Sequence, residues 1–208
     1  HHCSVATNTH RCHHKKPNIS QVPSDHDCRQ LFTATPGKIM VGADLSGIEL
    51  RMLAHYISRW STEFADTLLT GDIHQVNADR VGVSRSEIKR ITYCFTYGGG
   101  NLKLGKTFDP QLSDDAAKKK GAELREAFVD SINGLAELLA AIKAASEKGY
   151  VKSIDGRPIK VDSQHKALNY LLQSGAGVIA KRWMVLNDAI TRGLHIPCNQ
   201  LAFIHDEL

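Results

Sequence analysis

S-R-S-E-I-K-R-I-T-Y-C-F-T-Y-G-G-G, from Ser84 to Gly100, carries the clearest local instruction in the chain. Ser84 followed three residues later by Glu87 is a capping box, and Val83 with Ile88 is placed to close a hydrophobic staple around it. The spacing predicts a helix that begins at Ser84 and runs to a stop at Gly98-Gly99-Gly100. On that helix Arg85, Lys89, Tyr93 and Tyr97 recur every fourth residue, which lays them along one slowly winding stripe. Two cations near a helix N-terminus add to the positive end of its dipole and suit a triphosphate, and the two rings beyond them suit stacking on a base. Taken singly, a cationic stripe is usually a solvated face and a tyrosine pair usually half-buried packing. The join of cationic start, aromatic end and glycine stop is much rarer by chance.

Outward from this helix toward the N-terminus, K-I-M-V-G-A-D-L from Lys38 to Leu45 is an apolar run of strand length that ends on a carboxylate, Asp44. A helix is expected at once, because Ile48, Leu50, Met52, Leu53, Tyr56 and Ile57 give a broad apolar face, and Trp60 to Leu69 repeats that pattern after a break. Residues up to about 37 read as extended and loop-like, punctuated by Pro17, Pro23, Pro36 and Gly37. Toward the C-terminus, the Ala, Leu, Glu and Lys content between Ser113 and Glu147 predicts two helices separated near Asn133-Gly134. The Asp155-Gly156 turn within Ser153 to Val161 predicts a hairpin. A long helix from about Gln164 to Arg192 follows, and then Leu201 to Ile204 reads as a strand running into His205-Asp206-Glu207. The order is therefore strand with terminal Asp, helices, hairpin, long helix, strand with terminal Asp.

At 208 residues and 42% apolar composition the chain has material for a core and for one or two domains. The 26 Lys+Arg against 22 Asp+Glu give a formal charge of +4, which suits a polyanionic partner but decides nothing alone. No apolar run reaches membrane-spanning length and no secretory leader pattern opens the chain, so a soluble, intracellular protein without a membrane partner is expected. The five cysteines, Cys3, Cys12, Cys28, Cys94 and Cys198, have no C-x-x-C spacing and read as reduced thiols. His1, His2, Cys3, His10, Cys12, His13, His14, His26 and Cys28 crowd one segment, but their spacings match no closed four-ligand zinc pattern, which favours an ordinary basic surface segment.

Asp44 and Asp206 each sit where a strand gives way to its next element, a position from which carboxylates on neighbouring strands converge. Two converging carboxylates suit Mg²⁺, which completes its shell with water and substrate phosphates. In two-metal phosphoryl transfer, ions roughly 3.5–4 Å apart serve the attacking oxygen and the leaving group. Either Asp alone would be read as a strand-end turn residue; the stripe on the capped helix reverses that judgement.

D-L-S-G-I-E-L-R from Asp44 to Arg51 resembles motif A of the family A (polymerase I type) DNA polymerases, R-S-E-I-K-R-I-T-Y-C-F-T-Y-G from Arg85 to Gly98 resembles their motif B, and His205-Asp206-Glu207 is similar to motif C. Thr9-His10-Arg11 followed by Pro17-Asn18 and Gln21 resembles the family's T-G-R…P-N…Q segment, with His10 in place of the usual glycine. Gly71-Asp72-Ile73-His74 resembles the G-D-I-H ahead of motif B, and Asn169-x₃-Gln173 the N-x₃-Q of the long palm helix. The resemblance spans essentially the whole chain and leans to the phage-type branch. Short motifs such as H-D-E are weak alone; six in order are strong.

The resemblance implies an α+β polymerase palm, a small antiparallel sheet backed by helices, with a helical fingers subdomain and the thumb absent. Residues 1–70 would be the first part of the palm, 71–150 the fingers and 151–208 the second, truncated part of the palm. It implies template-directed addition of deoxynucleotides to a primer 3′ end in DNA replication, with Asp44 and Asp206 holding two Mg²⁺ ions, the Leu45 carbonyl as a backbone ligand and Glu207 in support. Arg85, Lys89 and His74 would grip the incoming triphosphate, and Lys89 would also give a proton to departing pyrophosphate. Tyr93 would stack on the incoming base and sugar, while Glu49 would close the space of a ribose 2′-hydroxyl. Tyr97 and Gly98 would position the template base, and Arg11, Asn169, Gln173 and His205 would face the primer-template.

Primer-template DNA and deoxynucleoside triphosphates are the implied partners, with any processivity factor binding outside these residues. The implied location is bacterial cytoplasm, or that of an infected host if the gene is a phage's. The chain reads as a fragment cut after motif C, weak or inactive by itself; robust primer extension by these 208 residues would contradict that. Two rival readings are a non-catalytic nucleic-acid-binding module, which Mg²⁺-dependent extension by the parent would exclude, and a single-subunit RNA polymerase, against which Glu49 argues.

Overall fold

The computed structural model describes residues 2–23 and 25–208, and the chain packs as two units, His1–Ile48 with Gln173–Leu208, and Glu49–Leu172. In the first unit β1 (His2–Ser4) pairs antiparallel with β2 (His13–Lys15), Cys3 opposite His14. A single turn of helix, α1 (His26–Arg29), starts where the Asp25 carboxylate accepts the Cys28 N–H at 2.9 Å. These elements lie in the segment expected to be extended and loop-like, and of them only the helical turn departs from that. The strand expected over Lys38–Leu45 is not formed: Ile39 and Val41 are 86% and 79% exposed, and Asp44 alone makes a ladder pair, with Glu207. Leu201–Ile204 is likewise not a strand, since only Ile204 pairs, also with Glu207. An apolar run becomes strand only where a neighbouring backbone takes up its N–H and C=O groups. Ala43 to Leu45 have such a neighbour, and among the described residues no strand pairs with Lys38 to Gly42.

In chain order the second unit contains α2 (Ile48–Ile57, from Glu49 on), α3 (Glu63–Thr70), α4 (Ile73–Val81), α5 (Arg85–Thr96), α6 (Asn101–Phe108), α7 (Asp114–Asp130) and α8 (Leu135–Ser146). A hairpin of β3 (Tyr150–Lys152) and β4 (Pro158–Lys160) follows, with Val151 opposite Ile159, both buried. The turn falls on Asp155-Gly156 as expected, Gly156 at φ +83. A 3₁₀ turn over Gln164–Lys166 leads into α9 (Ala167–Gly193), whose residues from Gln173 on belong to the first unit.

The capping box of α5 is closed on both sides: the Glu87 N–H donates to the Ser84 hydroxyl at 3.2 Å, and the Ser84 N–H to the Glu87 carboxylate at 2.8 Å. The two helices expected within Ser113–Glu147 are α7 and α8, broken at Gly134, φ +89. Two helices of this unit went unforeseen. In α4 a local signal existed, since Asp72 stands three residues before Gln75 and caps the helix. In α6 the glycine run that ends α5 is followed at once by a new helix with Gly105 inside it, a composition that argues against helix. The reason lies in packing. A β-carbon on Gly105 would fall 1.9 Å from the Ala117 carbonyl oxygen, and one on Gly121 only 1.8 Å from that of Asn101, so α6 and α7 cross backbone to backbone. Beside the crossing, Phe95 meets Phe128 at 5.0 Å between ring centroids and the Arg125 guanidinium lies 5.2 Å from the Phe95 ring centre. Among the described residues no helix is long and apolar enough to cross a membrane.

Gly121→Ala is expected to lower the urea midpoint by the equivalent of about 3 kcal/mol, because the added methyl drives two helix backbones apart. Gly193→Ala, where the methyl meets nothing within 4 Å, is the control and leaves the midpoint unchanged or higher.

Candidate active site

Three backbone hydrogen bonds join the two acidic motifs within the first unit. Ala43 and Leu208 exchange N–H···O bonds of 2.9 Å, and the Leu45 N–H donates to the Asp206 carbonyl at 3.0 Å. Asp44 thus stands opposite Glu207, and Asp206 opposite Leu45, one position along the same ladder. Ile204 and Glu207 also exchange two 2.9 Å bonds, making His205 and Asp206 the centre of a two-residue turn with His205 at φ +58. Asp206 was expected at the end of a strand; it sits in a tight turn. Ile204, Glu207 and Asp44 therefore lie side by side as the start of a three-stranded antiparallel arrangement. Asp44 and Glu207 are exposed and Asp206 is half-buried. Among the described residues no three His, Cys, Asp or Glu side chains gather as a ready-made cage for a metal, and His1, counted in the N-terminal crowd, lies outside them. Two carboxylate residues one position apart on a paired backbone, Asp44 exposed and Asp206 half-buried, nonetheless suit Mg²⁺, a hard ion that is commonly held by one or two carboxylates and completed by substrate phosphates.

The same unit places Arg11 and His205. The Lys181 ammonium donates to the His10 carbonyl, and a β-carbon on Gly177 would meet the Arg11 side chain at 3.2 Å, so Arg11 is seated where α9 carries no side chain. His10 takes φ +59, the conformation a glycine adopts freely and other residues only at a cost. His14, buried under the turn, meets the His205 ring edge-on at 5.8 Å. Burial first, then the charges of His205 and His13, hold its imidazole below the ordinary histidine range. Gln173 is half-buried at the start of this unit's portion of α9.

In the second unit α5 has two distinct faces. Ile88, Ile91, Thr92, Cys94, Phe95 and Thr96 are buried, while Arg85, Lys89 and Tyr97 are exposed and Tyr93 half-exposed, so the expected stripe faces outward. The Tyr97 hydroxyl donates to the buried Glu49 carboxylate at 3.1 Å. His74, from the first turn of α4, has its ring 6.3 Å from that of Tyr93. Burial chiefly, then the Arg85 and Lys89 charges, hold the His74 imidazole below its ordinary pKa, against an opposing pull from Asp72. Its Nδ1 is buried without a hydrogen-bond partner among the described residues.

At the other end of α5, Gly98 takes φ +75, and a β-carbon there would lie 3.3 Å from the His165 carbonyl. The Asn169 amide donates to the Thr96 carbonyl at 3.2 Å, so this side chain secures the last turn of α5. The sequence reading missed Asp72. Its carboxylate accepts the backbone N–H groups of His74 and Gln75, each at 3.1 Å, and takes the Arg85 Nε–H at 2.7 Å.

A proton NMR titration is expected to put the His74 ring below 6.5, and Arg85→Ala to move it back up. His74 and His14 both resist protonation more in the folded than in the unfolded chain. Their contribution to stability is therefore complete above about 6.5 and is lost as pH falls below it, which denaturation midpoints at successive pH values measure.

The sequence model for DNA polymerase family A matches residues 1–208. The DNA-directed DNA polymerases of Enterobacteria phage T3 and Escherichia phage T7 are each 32% identical to the chain over 236 residues, covering 96% of it and 33% of their own length. A DNA polymerase I from Rhizobium leguminosarum is 28% identical over 98% of the chain and 22% of its own length. The chain thus spans about one third of the length of the phage relatives. Among solved structures, the POL domain of Pol1 from M. smegmatis, in complex with DNA primer-template and dNTP, superposes with a TM-score of 0.82 over 97% of this chain and 39% of that one, at 24% identity. The mixed fold of helices with small antiparallel sheets is that of a polymerase domain.

Proposed function

The chain belongs to DNA polymerase family A, and from that premise we propose that it is the part of a template-directed DNA polymerase that selects the nucleotide and carries the catalytic carboxylates. The observation that supports this reading best is the ladder that seats Asp206 opposite Leu45 and beside Asp44. In this reading residues 1–70 and 151–208 form the palm and 71–150 the fingers. The substrates are deoxynucleoside triphosphates and a primer-template, and synthesis takes place in the cytoplasm of a bacterium or of a phage-infected host.

Asp44 and Asp206, with the Leu45 carbonyl, would hold two Mg²⁺ ions, and Glu207 lies across from Asp44 in support. When bound, the metals supply charge neutralisation at the attacking oxygen and at the leaving group. The chain's own residues do the rest by placement. Arg85 and Lys89 offer positive charge to the triphosphate from the first two turns of α5, where backbone N–H groups add to it. His74, neutral above its lowered pKa, offers a hydrogen bond without adding charge. Lys89 donates a proton to the departing pyrophosphate. Tyr93 stacks on the incoming nucleotide, and the Glu49 carboxylate, fixed by the Tyr97 hydroxyl, occupies the space of a 2′-hydroxyl. A ribonucleotide would force that buried carboxylate to move and lose its partner, which is a specificity built from a penalty. Tyr97 and Gly98 meet the template base; Arg11, Asn169, Gln173 and His205 bear on the primer-template, Asn169 through the turn of α5 that it secures.

Mg²⁺-dependent primer extension by the polypeptide that carries these residues is the test. Asp206→Asn is expected to lower kcat by roughly a hundredfold or more. Glu49→Ala is expected to reduce the preference for deoxy- over ribonucleotides by about tenfold or more. Extension that survives Asp206→Asn, or a preference for ribonucleotides in the unaltered chain, would refute the proposal.

A further inference from the structure

Resting on that reading, we propose that Asp72 is a positioning residue for the nucleotide: a single carboxylate fixes the backbone that carries His74 and the side chain of Arg85, and leaves the far edge of the guanidinium to the triphosphate. Three hydrogen bonds carry the argument. One carboxylate oxygen, Oδ1, accepts the His74 and Gln75 N–H groups at 3.1 Å and so sets the first turn of α4. The other, Oδ2, takes Arg85 through Nε at 2.7 Å. Nη1 and Nη2 of Arg85 donate no hydrogen bond among the described residues, and that edge of a guanidinium can grip two phosphate oxygens at once.

The alternatives are a plain helix cap and a surface ion pair. A cap alone needs no charge, since Asn and Ser cap as well as Asp. An ion pair with its partners 53% and 46% exposed contributes little to stability. Yet a carboxylate beside a site for a polyanion repels the ligand unless it acts through a cation. Here it does, because both oxygens are already committed to donors and the Arg85 contact holds the carboxyl below the usual carboxylate range. The Asp72 charge also reaches His74, where it opposes those of Arg85 and Lys89.

The test is steady-state primer extension by the polymerase that contains this chain, with Asp72→Asn, Asp72→Ser, Arg85→Ala and the double variant Asp72→Asn with Arg85→Ala. Asn retains the cap through its oxygen but turns an NH₂ toward the guanidinium; Ser retains the cap and removes the charge. Both single variants at Asp72 are expected to raise the KM for deoxynucleotide by about tenfold, with the loss in KM rather than kcat and thermal midpoints unchanged. In the Arg85→Ala background Asp72→Asn is expected to raise KM no further, the mark of two residues acting as one unit. An Arg85-bonded Nε–H resonance in the unaltered protein should be lost in Asp72→Asn. If Arg85→Ala raises KM while the Asp72 variants do not, or if the Asp72 variants lower it, as a latch competing with nucleotide would, this inference is overturned and the polymerase reading stands. If Arg85→Ala leaves KM unchanged, the role given to Arg85 fails and the inference falls with it.

Discussion

The pairing of Ala43–Leu45 with Asp206–Leu208 is the constraint on which the candidate catalytic centre depends. It joins segments some 160 residues apart in sequence by three backbone hydrogen bonds, and it brings together the backbones of two aspartates that local sequence gives no reason to associate. Such a link is costly in chain entropy and is held by what surrounds it rather than by its own bonds. Its immediate support is the tight turn at His205-Asp206, which returns the chain so that Glu207 pairs on one side with Ile204 and on the other with Asp44. His14 lies beneath that turn with its ring against His205.

In the second unit a different logic holds. There the stripe of Arg85, Lys89, Tyr93 and Tyr97 sits on a helix whose position is fixed from behind. Ile88, Ile91 and Phe95 bury one face of α5, Phe95 packs on Phe128 of α7, and α7 is held to α6 by glycines that let the backbones touch. The outward stripe of Arg85, Lys89, Tyr93 and Tyr97 thus stands away from that buried face, with Tyr93 half-exposed beside His74. Two of its members are tied to polar partners: Arg85 to Asp72, and Tyr97 to Glu49. A rigid back and a lightly tethered front suit a surface that must exchange its own contacts for those of a ligand.

Much of this was legible in advance where one segment determines its own structure. The capping box at Ser84 and Glu87, the Asp-Gly hairpin at residues 155–156, the break at Gly134 and the long α9 are all local signals, and each appears where it was expected. The failures share a cause. Lys38–Leu45 and Leu201–Ile204 have the composition of strands, but a strand exists only in its pairing, and only Ala43 to Leu45 and Ile204 find partners. Conversely α6 has the composition of a poor helix, and its glycine is there because another helix needs the room.

By itself the sequence determined the helix that carries Arg85, Lys89, Tyr93 and Tyr97, the face on which they stand, and through six ordered motifs the family. These depend on periodicity and spacing, which a chain carries in one dimension. What tertiary structure alone decided is the placing of Asp206 in a turn beside Asp44, the bond from Tyr97 to Glu49, and the attachment of Arg85 to Asp72. Each of these joins residues whose contact depends on how distant backbones are brought together. No local preference encodes such a distance, because the energy that fixes it is spread over packing contacts elsewhere in the fold.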